Sequence, residues 1–222
     1  MELVIKFPTR GRPEKFLNVL KKYYNFLDDK NTTFIVSCDS DDESMQQDYV
    51  KEVLGKYKNV HVYYGNSKTK IEAVNADMEN VGDFDILLLA SDDMIPMVKG
   101  FDTIIKNKMK EFYPDTDGVL WFNDGFQGKN LNTLCILGKK YYDRFNYIYN
   151  PDYLSVWCDN EFMDVANLLN KQTYFDEVII KHMHPVWGFG DLDDIHKFGI
   201  KHEDLDKNLY LKRKKENFGI KI

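Results

Sequence analysis

Two adjacent aspartates follow the most apolar segment of the chain. The segment LLLASDDMIP, residues 87–96, places Asp92 and Asp93 directly after a buried strand pattern. Two like charges at such a position are costly unless a positive group compensates them. A hard divalent cation that also binds a phosphate is the natural partner, because Mg²⁺ and Mn²⁺ take oxygen ligands. The pattern therefore predicts a metal-phosphate site, whereas a single aspartate at this position would be better explained as a helix cap.

A second pair of carboxylates occurs in the segment WCDNEFMDVANLL, residues 157–169, which has the pattern of a helix start. A carboxylate in this position can take a proton from an attacking hydroxyl group. Because Asp159 and Glu161 are two residues apart, they would not share one side of a regular helix. One of them is therefore expected to act as a base. The alternative is an N-cap followed by a favourable acidic residue in the first turn.

Two histidines stand in the segment KHMHP, residues 181–185. In an extended strand, His182 and His184 point to the same side. Imidazole is a common ligand of transition metals such as Mn²⁺. The residue type is thus compatible with a metal ligand, although a lone histidine at the surface is usually inert.

The first half of the chain alternates strand and helix patterns. Strands are predicted over residues 3–7, 33–38, 60–64 and 85–90, and helices from Pro13 and over 43–57 and 71–78. This order indicates a parallel sheet covered on both sides. Ligands of such sheets bind beyond the carboxyl ends of the strands. Polar clusters follow all four strands, at residues 8–10, 39–42, 65–68 and 91–93. We expect these clusters to meet at one edge.

The second half is less regular. It predicts helices over 101–112 and 161–169, strands over 118–123, 133–138 and 174–180, and a last helix with a basic tail from residue 209. The chain has 222 residues, of which 43% are hydrophobic and 30% charged, as expected of one globular domain. A net charge of -6 argues against binding nucleic acid through an overall basic surface. No apolar run suggests a membrane span or signal peptide, so we expect a cytoplasmic protein.

Five motifs occur in an order that resembles the glycosyltransferases of the GT-A fold, above all the inverting family 2 type. They are KFPTRGRPEKFLNVL, VSCDSDDE, LLLASDDMIP followed by GFD, CDNEF, and KHMHPVWG, within residues 3–190. The resemblance implies an α/β, Rossmann-like single domain with a mostly parallel central sheet flanked by helices and a smaller acceptor-side sheet. Residues 1–98 would form the nucleotide-sugar-binding half and 99–200 the acceptor-side half, with a C-terminal helix and basic tail over 201–222.

The resemblance also implies roles for individual residues. Those that it assigns to the nucleotide sugar are Pro8, Thr9, Arg10, Asp39, Lys68, Lys70 and Asp92. Pro8, Thr9 and Arg10 would border the base. Asp39 would hydrogen-bond the base or the ribose, and Lys68 or Lys70 would approach the diphosphate.

The metal and the base are assigned in the same way. Asp92 and Asp93 stand where the family has its DxD motif, but Ala90 occupies the position two before Asp92. Which aspartate is the direct metal ligand therefore stays open, with Asp93 favoured. The resemblance places His184 in the metal shell and makes Asp159 the base, with Glu161 as the alternate.

Together these roles imply a metal-dependent, inverting hexosyltransferase. It would move a single sugar from a nucleotide-diphosphate sugar, expected to be UDP-linked, to a hydroxyl acceptor with Mn²⁺ or Mg²⁺. The acceptor stays open among a glycan, a lipid-linked sugar, a protein and a modified nucleic-acid base. Two alternatives remain: a GT-A-like nucleotidyltransferase, and a non-catalytic nucleotide-binding or receiver-type module.

Overall fold

The molecule is organised around two β-sheets. A computed structural model describes residues 1–183 and 194–221 of the chain. The strands are β1 (Leu3–Pro8), β2 (Thr33–Asp39), β3 (Val60–Gly65), β4 (Ile86–Leu89), β5 (Met94–Pro96), β6 (Val119–Phe122), β7 (Ile136–Gly138), β8 (Gln172–Phe175) and β9 (Ile180–His182). Seven of them form the central sheet in the order β3-β2-β1-β4-β7-β6-β8, and β5 pairs with β9 in a small second sheet.

Helices cover the central sheet on both sides. They are α1 (Pro13–Phe26), α2 (Asp48–Leu54), α3 (Lys70–Asn75), α4 (Phe101–Phe112), α5 (Lys139–Asp143), α6 (Cys158–Leu168) and α7 (Asp194–Lys215). Short 3₁₀ turns follow at Met78–Asn80 and Asn217–Gly219. None of the helices in the described part of the chain combines the length and the apolar character that crossing a membrane requires.

The central sheet is mostly parallel. β3, β2, β1 and β4 run in one direction. β7 is antiparallel to both β4 and β6, and β6 is parallel to β8. β1, β2 and β4 are buried along almost their whole length, as expected of parallel strands covered on both sides. The predicted α/β architecture with a mostly parallel sheet and a smaller second sheet is therefore confirmed.

Two apolar layers form the core because side chains alternate across each strand. Leu3, Ile5 and Phe7 of β1 pack with α1 and α4 in one layer. Val4 of β1 packs with α3 and α6 in the other. The three cysteines of the chain are buried and free, with no disulfide between them.

Lys6 is a fully buried cation in the middle of β1. Its Nζ donates to the Ala76 carbonyl at 2.6 Å and to Ser37 Oγ, which in turn donates to Asp77. Burial lowers the pKa of Lys6 to about 8, although Asp77 opposes the shift. Lys6 and Ser37 each lie two residues before the carboxyl end of their strand, β1 and β2 respectively.

The helices differ from the sequence prediction in several places. α5 was not predicted, and α6 begins at Cys158 rather than at residue 161. The helix predicted over 43–57 begins only at Asp48, because the Asp42 carboxylate accepts from both the amide and the hydroxyl of Ser44 in a competing local turn. The helix predicted over 71–78 ends at Asn75. The last helix starts at residue 194, well before the predicted start near 209, and so crosses the boundary drawn between residues 200 and 201.

The strands differ as well. The segment 174–180, predicted as one strand, contributes the end of β8 and the start of β9 to two different sheets. β5 was not predicted. Its three residues pair with β9 in the register Met94 to His182.

Candidate functional site

A cavity of about 620 Å³ lies beyond the carboxyl ends of β1 to β4, a volume suited to a small ligand. All seven residues that the resemblance assigns to the nucleotide sugar line this nucleotide-side cavity: Pro8, Thr9, Arg10, Asp39, Lys68, Lys70 and Asp92. The parallel order of the four strands explains why segments so distant in sequence meet here.

Arg10 joins the ends of β1 and β2 at the mouth of this cavity. Its Nη1 donates to Asp39 Oδ2 at 2.7 Å and to Asp41 Oδ1 at 2.5 Å, and its Nη2 donates to Asp41 Oδ2 at 3.0 Å. These hydrogen bonds raise the pKa of the guanidinium further and lower the pKa of the Asp41 carboxyl. The contact holds two strand ends together and fixes the direction of the buried Asp39 carboxylate.

Thr9, in the wall of the cavity, has a buried hydroxyl oxygen. The residue is 7% exposed, and within the described residues its Oγ1 has no hydrogen-bond partner. Such an atom is costly unless a partner arrives. Its position in the wall of the cavity makes a bound polar molecule the natural partner.

A capping box positions the two lysines. Thr69 is the N-cap of α3, and its Oγ1 accepts from the amide of Glu72 at 3.1 Å. The Glu72 carboxylate in return accepts from the amide of Lys68 at 2.7 Å. Lys68 and Lys70 thus flank a fixed helix start whose free amides favour an anion.

Asp92 is compensated by two cations at the start of α1, one on the N-cap residue and one in the first turn. Its Oδ1 lies 2.8 Å from Arg12 Nη1 and 3.3 Å from Lys15 Nζ, and the aspartate side chain is only 4% exposed. Lys15 was not identified from the sequence. Its spacing of three from Arg12, on one side of a helical turn, was the available signal.

Asp93 faces His182 in the small sheet. Its Oδ2 lies 3.4 Å from His182 Nε2, and Ser91 Oγ donates to its other oxygen. The backbone of β9 sets this contact, since the amide of Met183 donates to the Asp93 carbonyl at 2.7 Å. Burial opposes ionisation, but the hydrogen bond and charge of His182, with Ser91 and Lys70, hold the pKa of Asp93 well below its ordinary range.

His184, which the sequence placed in the metal shell, lies outside the described residues. The structure brings His182, the other histidine of the motif, to the aspartate pair. The register of β5 with β9, which the sequence pattern does not reveal, sets the contact of His182 with Asp93.

A second cavity of about 530 Å³ adjoins the first. The two share Pro8, Arg12, Lys70 and Ser91 in their walls. Asp93, His182 and Asp159 line this second cavity. The acidic pair thus divides between the cavities, with Asp92 in the first and Asp93 in the second.

Asp159 stands in the first turn of α6, after a strained residue. Trp157 is the N-cap with φ 63°, in the left-handed region that non-glycine residues seldom adopt. Burial raises the pKa of the Asp159 carboxyl, and Lys70 opposes that shift. Its Oδ1 accepts from the amide of Asn160 at 3.0 Å. A partly buried carboxylate of raised pKa is suited to accept a proton.

Glu161 points to a different environment. It is buried, and its carboxylate accepts from Arg213 Nε at 2.7 Å and from Arg213 Nη2 at 2.8 Å. Asn150 and Tyr153 donate to the same carboxylate. Its oxygens are thus occupied by a structural network that joins α6 to α7.

The side chains near the aspartate pair offer oxygen and nitrogen donors to a divalent cation. Within residues 1–183 and 194–221, no group of three or more His, Cys, Asp or Glu side chains could hold a metal by itself. Asp93 and His182 nevertheless supply one carboxylate oxygen and one imidazole nitrogen in the wall of the second cavity, which adjoins the first. Mn²⁺ and Mg²⁺ commonly bind through few protein ligands and complete their shell with phosphate oxygens and water. The donor set therefore fits such an ion.

Comparisons with known proteins identify the fold. No protein-family model matches the chain, and a search of curated proteins finds no match. Among solved structures, a mannosyltransferase from Pyrobaculum calidifontis, in complex with GDP-Man and Mn²⁺, aligns with a TM-score of 0.62 at 11% identity over 82% of this chain. TarS residues 1–349 from S. aureus align with a TM-score of 0.63 at 19% identity over 96% of this chain. The chain has the GT-A fold.

Because the sequence identities are low, these similarities show the fold alone. The chain spans 57% of the mannosyltransferase chain and 73% of the TarS fragment. The same TarS fragment also matches as a complex with UDP-GlcNAc, at a TM-score of 0.62 and 17% identity, over 82% of this chain and 58% of that one. A 4-diphosphocytidyl-2C-methyl-D-erythritol synthase from Anaerococcus prevotii aligns at 0.53 and 12% identity, over 81% of this chain and 89% of that one.

Proposed function

We propose that the protein is a metal-dependent, inverting glycosyltransferase that moves one sugar from a nucleotide-diphosphate donor to a hydroxyl acceptor. One observation carries the proposal: a cavity lined by the seven residues assigned to the nucleotide sugar shares a wall with a second cavity, which is lined by the Asp93–His182 pair and by Asp159. The solved structures of similar fold include glycosyltransferases with nucleotide sugars bound. Transfer between two ligands requires such a pair of adjoining sites.

The donor is assigned to the nucleotide-side cavity. Pro8, Thr9 and Arg10 border the base, and Asp39 accepts a hydrogen bond from the base or ribose. Lys68 and Lys70, at the start of α3, face the diphosphate. We favour a UDP-linked donor, which the TarS complex with UDP-GlcNAc supports.

Asp93 and His182 would hold Mn²⁺ or Mg²⁺, and we favour Asp93 over Asp92 because Asp92 is already engaged by Arg12 and Lys15. A bound cation neutralises charge that develops on the diphosphate as it leaves.

Asp159 is the proposed base. Its carboxylate takes the proton of the acceptor hydroxyl as that oxygen attacks the anomeric carbon. The bond from this carbon to the diphosphate oxygen breaks on the opposite side, which inverts the configuration. Lys70 and Arg12 border both cavities and stabilise the departing diphosphate by their positive charge. Glu161 is not proposed as the base, because Arg213 occupies its carboxylate.

A donor panel tests the proposal. UDP-GlcNAc, other UDP-sugars and GDP-mannose are incubated with the protein and Mn²⁺, and released nucleoside diphosphate is measured. Asp93→Ala should lower release at least about 100-fold while the far-UV spectrum stays unchanged, because one electrostatic stabiliser is typically worth that much. Near wild-type release from this variant would contradict the metal assignment.

The same panel separates the alternatives by their products. For this purpose a nucleoside triphosphate and a phosphorylated acceptor are added as a further arm, because a nucleotide-diphosphate sugar has no pyrophosphate to release. Pyrophosphate released from the triphosphate would indicate a nucleotidyltransferase, the alternative that the similarity in fold to the diphosphocytidyl-compound synthase supports. A thermal shift with donors but no product would indicate a non-catalytic nucleotide-binding module.

A further inference from the structure

The C-terminal helix holds the backbone that precedes Asp159. Asp206 of α7 is 1% exposed. Its Oδ1 accepts from the amide of Leu154, and its Oδ2 accepts from the amides of Ser155 and Val156, each at 2.9 Å. Three successive amides aimed at one buried carboxylate form an anion nest of the kind that normally binds a ligand. Here a side chain 50 residues or more away occupies it.

α7 also holds the other end of this segment. Arg213 donates two hydrogen bonds to Glu161, at 2.7 and 2.8 Å. Lys214 Nζ and Tyr210 Oη both donate to Asp164 Oδ2, at 2.8 and 2.7 Å. Residues 154–164 are therefore fastened to one helix on both sides of Asp159.

Between the two attachments lies the strained Trp157. Its ring packs at 5.1 Å from the ring of Tyr210, and Lys207 Nζ lies 5.6 Å from its centroid. A left-handed conformation at a bulky residue persists only when its surroundings enforce it. The contacts with α7 are the surroundings that do so, and the conformation sets the direction in which α6, and with it Asp159, begins.

The approach of α7 to this segment leaves little space. A Cβ atom on Gly199 would lie 3.0 Å from Ser155 Oγ and 3.5 Å from Val156 Cγ1. The backbone of α7 therefore packs directly against Ser155 and Val156, whose amides donate hydrogen bonds to Asp206.

We propose that Asp206 is a positioning residue that sets the placement of the base Asp159 through the backbone of residues 154–157. This inference rests on the proposed function of Asp159. Asp206 does not line either cavity, so its action is indirect. An amide in its place would present one oxygen and one N–H group to three N–H donors, and at least one donor would lose its acceptor.

The test compares Asp206→Asn with Asp204→Asn in the full chain. Asp204 lies on the same helix and is exposed, so the control makes the same chemical change without touching the segment. Hydrogen exchange of the amides of residues 154–156 is measured first, and we expect exchange to be roughly tenfold faster or more in Asp206→Asn only. UDP-GlcNAc and GDP-mannose hydrolysis with Mn²⁺ then reports turnover, with water as the acceptor.

Asp206→Asn should show a split between the two kinetic constants, with a lower kcat and a nearly unchanged donor KM. We expect kcat of Asp206→Asn to fall roughly 10-fold to 100-fold, because small displacements of a reacting group have costs of that size. The donor KM should stay within about twofold, because the donor residues at and beyond the carboxyl ends of β1 to β4 are untouched. A purely structural role would lower the melting temperature and the active fraction without this split. Should Asp206→Asn not fold, Asp206→Glu keeps the charge, displaces the carboxylate by one methylene and should show a smaller split of the same kind.

The remaining outcomes overturn the inference. Unchanged exchange at residues 154–156 would show that Asp206 does not hold the segment. Faster exchange with unchanged kcat would show that the segment does not set the rate. A wild-type chain that turns over no donor refutes the proposed function and the positioning role together, while the exchange data still decide whether Asp206 holds the backbone.

Discussion

Two carboxylates of α6, two residues apart, have different environments. Asp159 lines a cavity, and burial raises its pKa. Glu161 is enclosed by Arg213, Asn150 and Tyr153. Their spacing on the helix, which sends neighbouring side chains in different directions, accounts for the divergence. The sequence predicted that only one would act as a base, but it could not reveal a partner 52 residues away.

Neutralising each carboxylate should therefore have a different effect. Asp159→Asn should lower kcat for donor turnover by about 10²- to 10⁴-fold, the usual contribution of a general base, with little change in the melting temperature. Glu161→Gln should instead lower the free energy of unfolding by about 2–3 kcal/mol, because it leaves the Arg213 charge without its partner. Urea denaturation and steady-state kinetics of both variants check this, and the reverse pattern would exchange the two roles.

Lys6 should give the protein a distinctive dependence on pH. Its pKa is lowered from the ordinary 10.5 to about 8 by burial. Between these values the unfolded chain holds a proton that the folded chain lacks, so the free energy of unfolding rises with pH across this window. Relative to Lys6→Met, the wild type should gain about 2 kcal/mol between about pH 7.5 and about pH 10, measured by urea denaturation. Parallel curves for the two proteins would show that Lys6 titrates normally.

At the scale of elements, the hydrophobic periodicity of the sequence was sufficient to predict the bounds of helices and strands that have a full apolar pattern. The helix predicted over 101–112 matches α4 at both ends, and β1 and β2 match within a residue or two. β5 and β9, with three residues each, are too short to show a period. The length of α7 was underestimated because many of its contacts are made by charged residues, and a hydrophobic pattern does not indicate such contacts.

The start of α3 is the element whose cap should matter most for donor binding. The helix has only six residues, so its register depends on the capping box of Thr69 and Glu72. Thr69→Ala should cost about 1 kcal/mol and weaken UDP binding several-fold, measured by calorimetry with Mn²⁺ present, because Lys68 and Lys70 lose their fixed position. Thr103→Ala, at an exposed position in the first turn of α4, is the matched control and should leave UDP binding unchanged.

At the scale of the molecule, the topology explains why the convergence of the strand-end residues was predictable. Once four parallel strands are recognised, their polar carboxyl ends must converge, and all seven predicted nucleotide-sugar residues line one cavity. What escaped prediction depends on contacts between distant segments: Asp92 with α1, Asp93 with His182, and Asp206 with residues 154–156. Such contacts depend on how whole elements pack against each other, so a local sequence pattern does not predict them.

Ligand linkage gives a prediction for the whole chain. If Asp93, His182 and the nucleotide-side cavity form one site, Mn²⁺ and UDP together should raise the melting temperature more than the sum of their separate shifts. At 100 times the dissociation constant a ligand stabilises the folded state by about 2.7 kcal/mol. Chelation with EDTA should remove the joint shift, and Asp93→Ala should reduce it to the UDP shift alone. Strictly additive shifts would separate the metal site from the nucleotide site.

The wall that the two cavities share has a consequence for inhibitor design. Pro8, Arg12, Lys70 and Ser91 border both spaces, so a short linker suffices to pass from one to the other. A single molecule that joins a nucleotide to a fragment suited to the second cavity would bind its second half at a high effective concentration. Its selectivity would come mostly from that second half, because the nucleotide half addresses features common to many nucleotide-binding proteins.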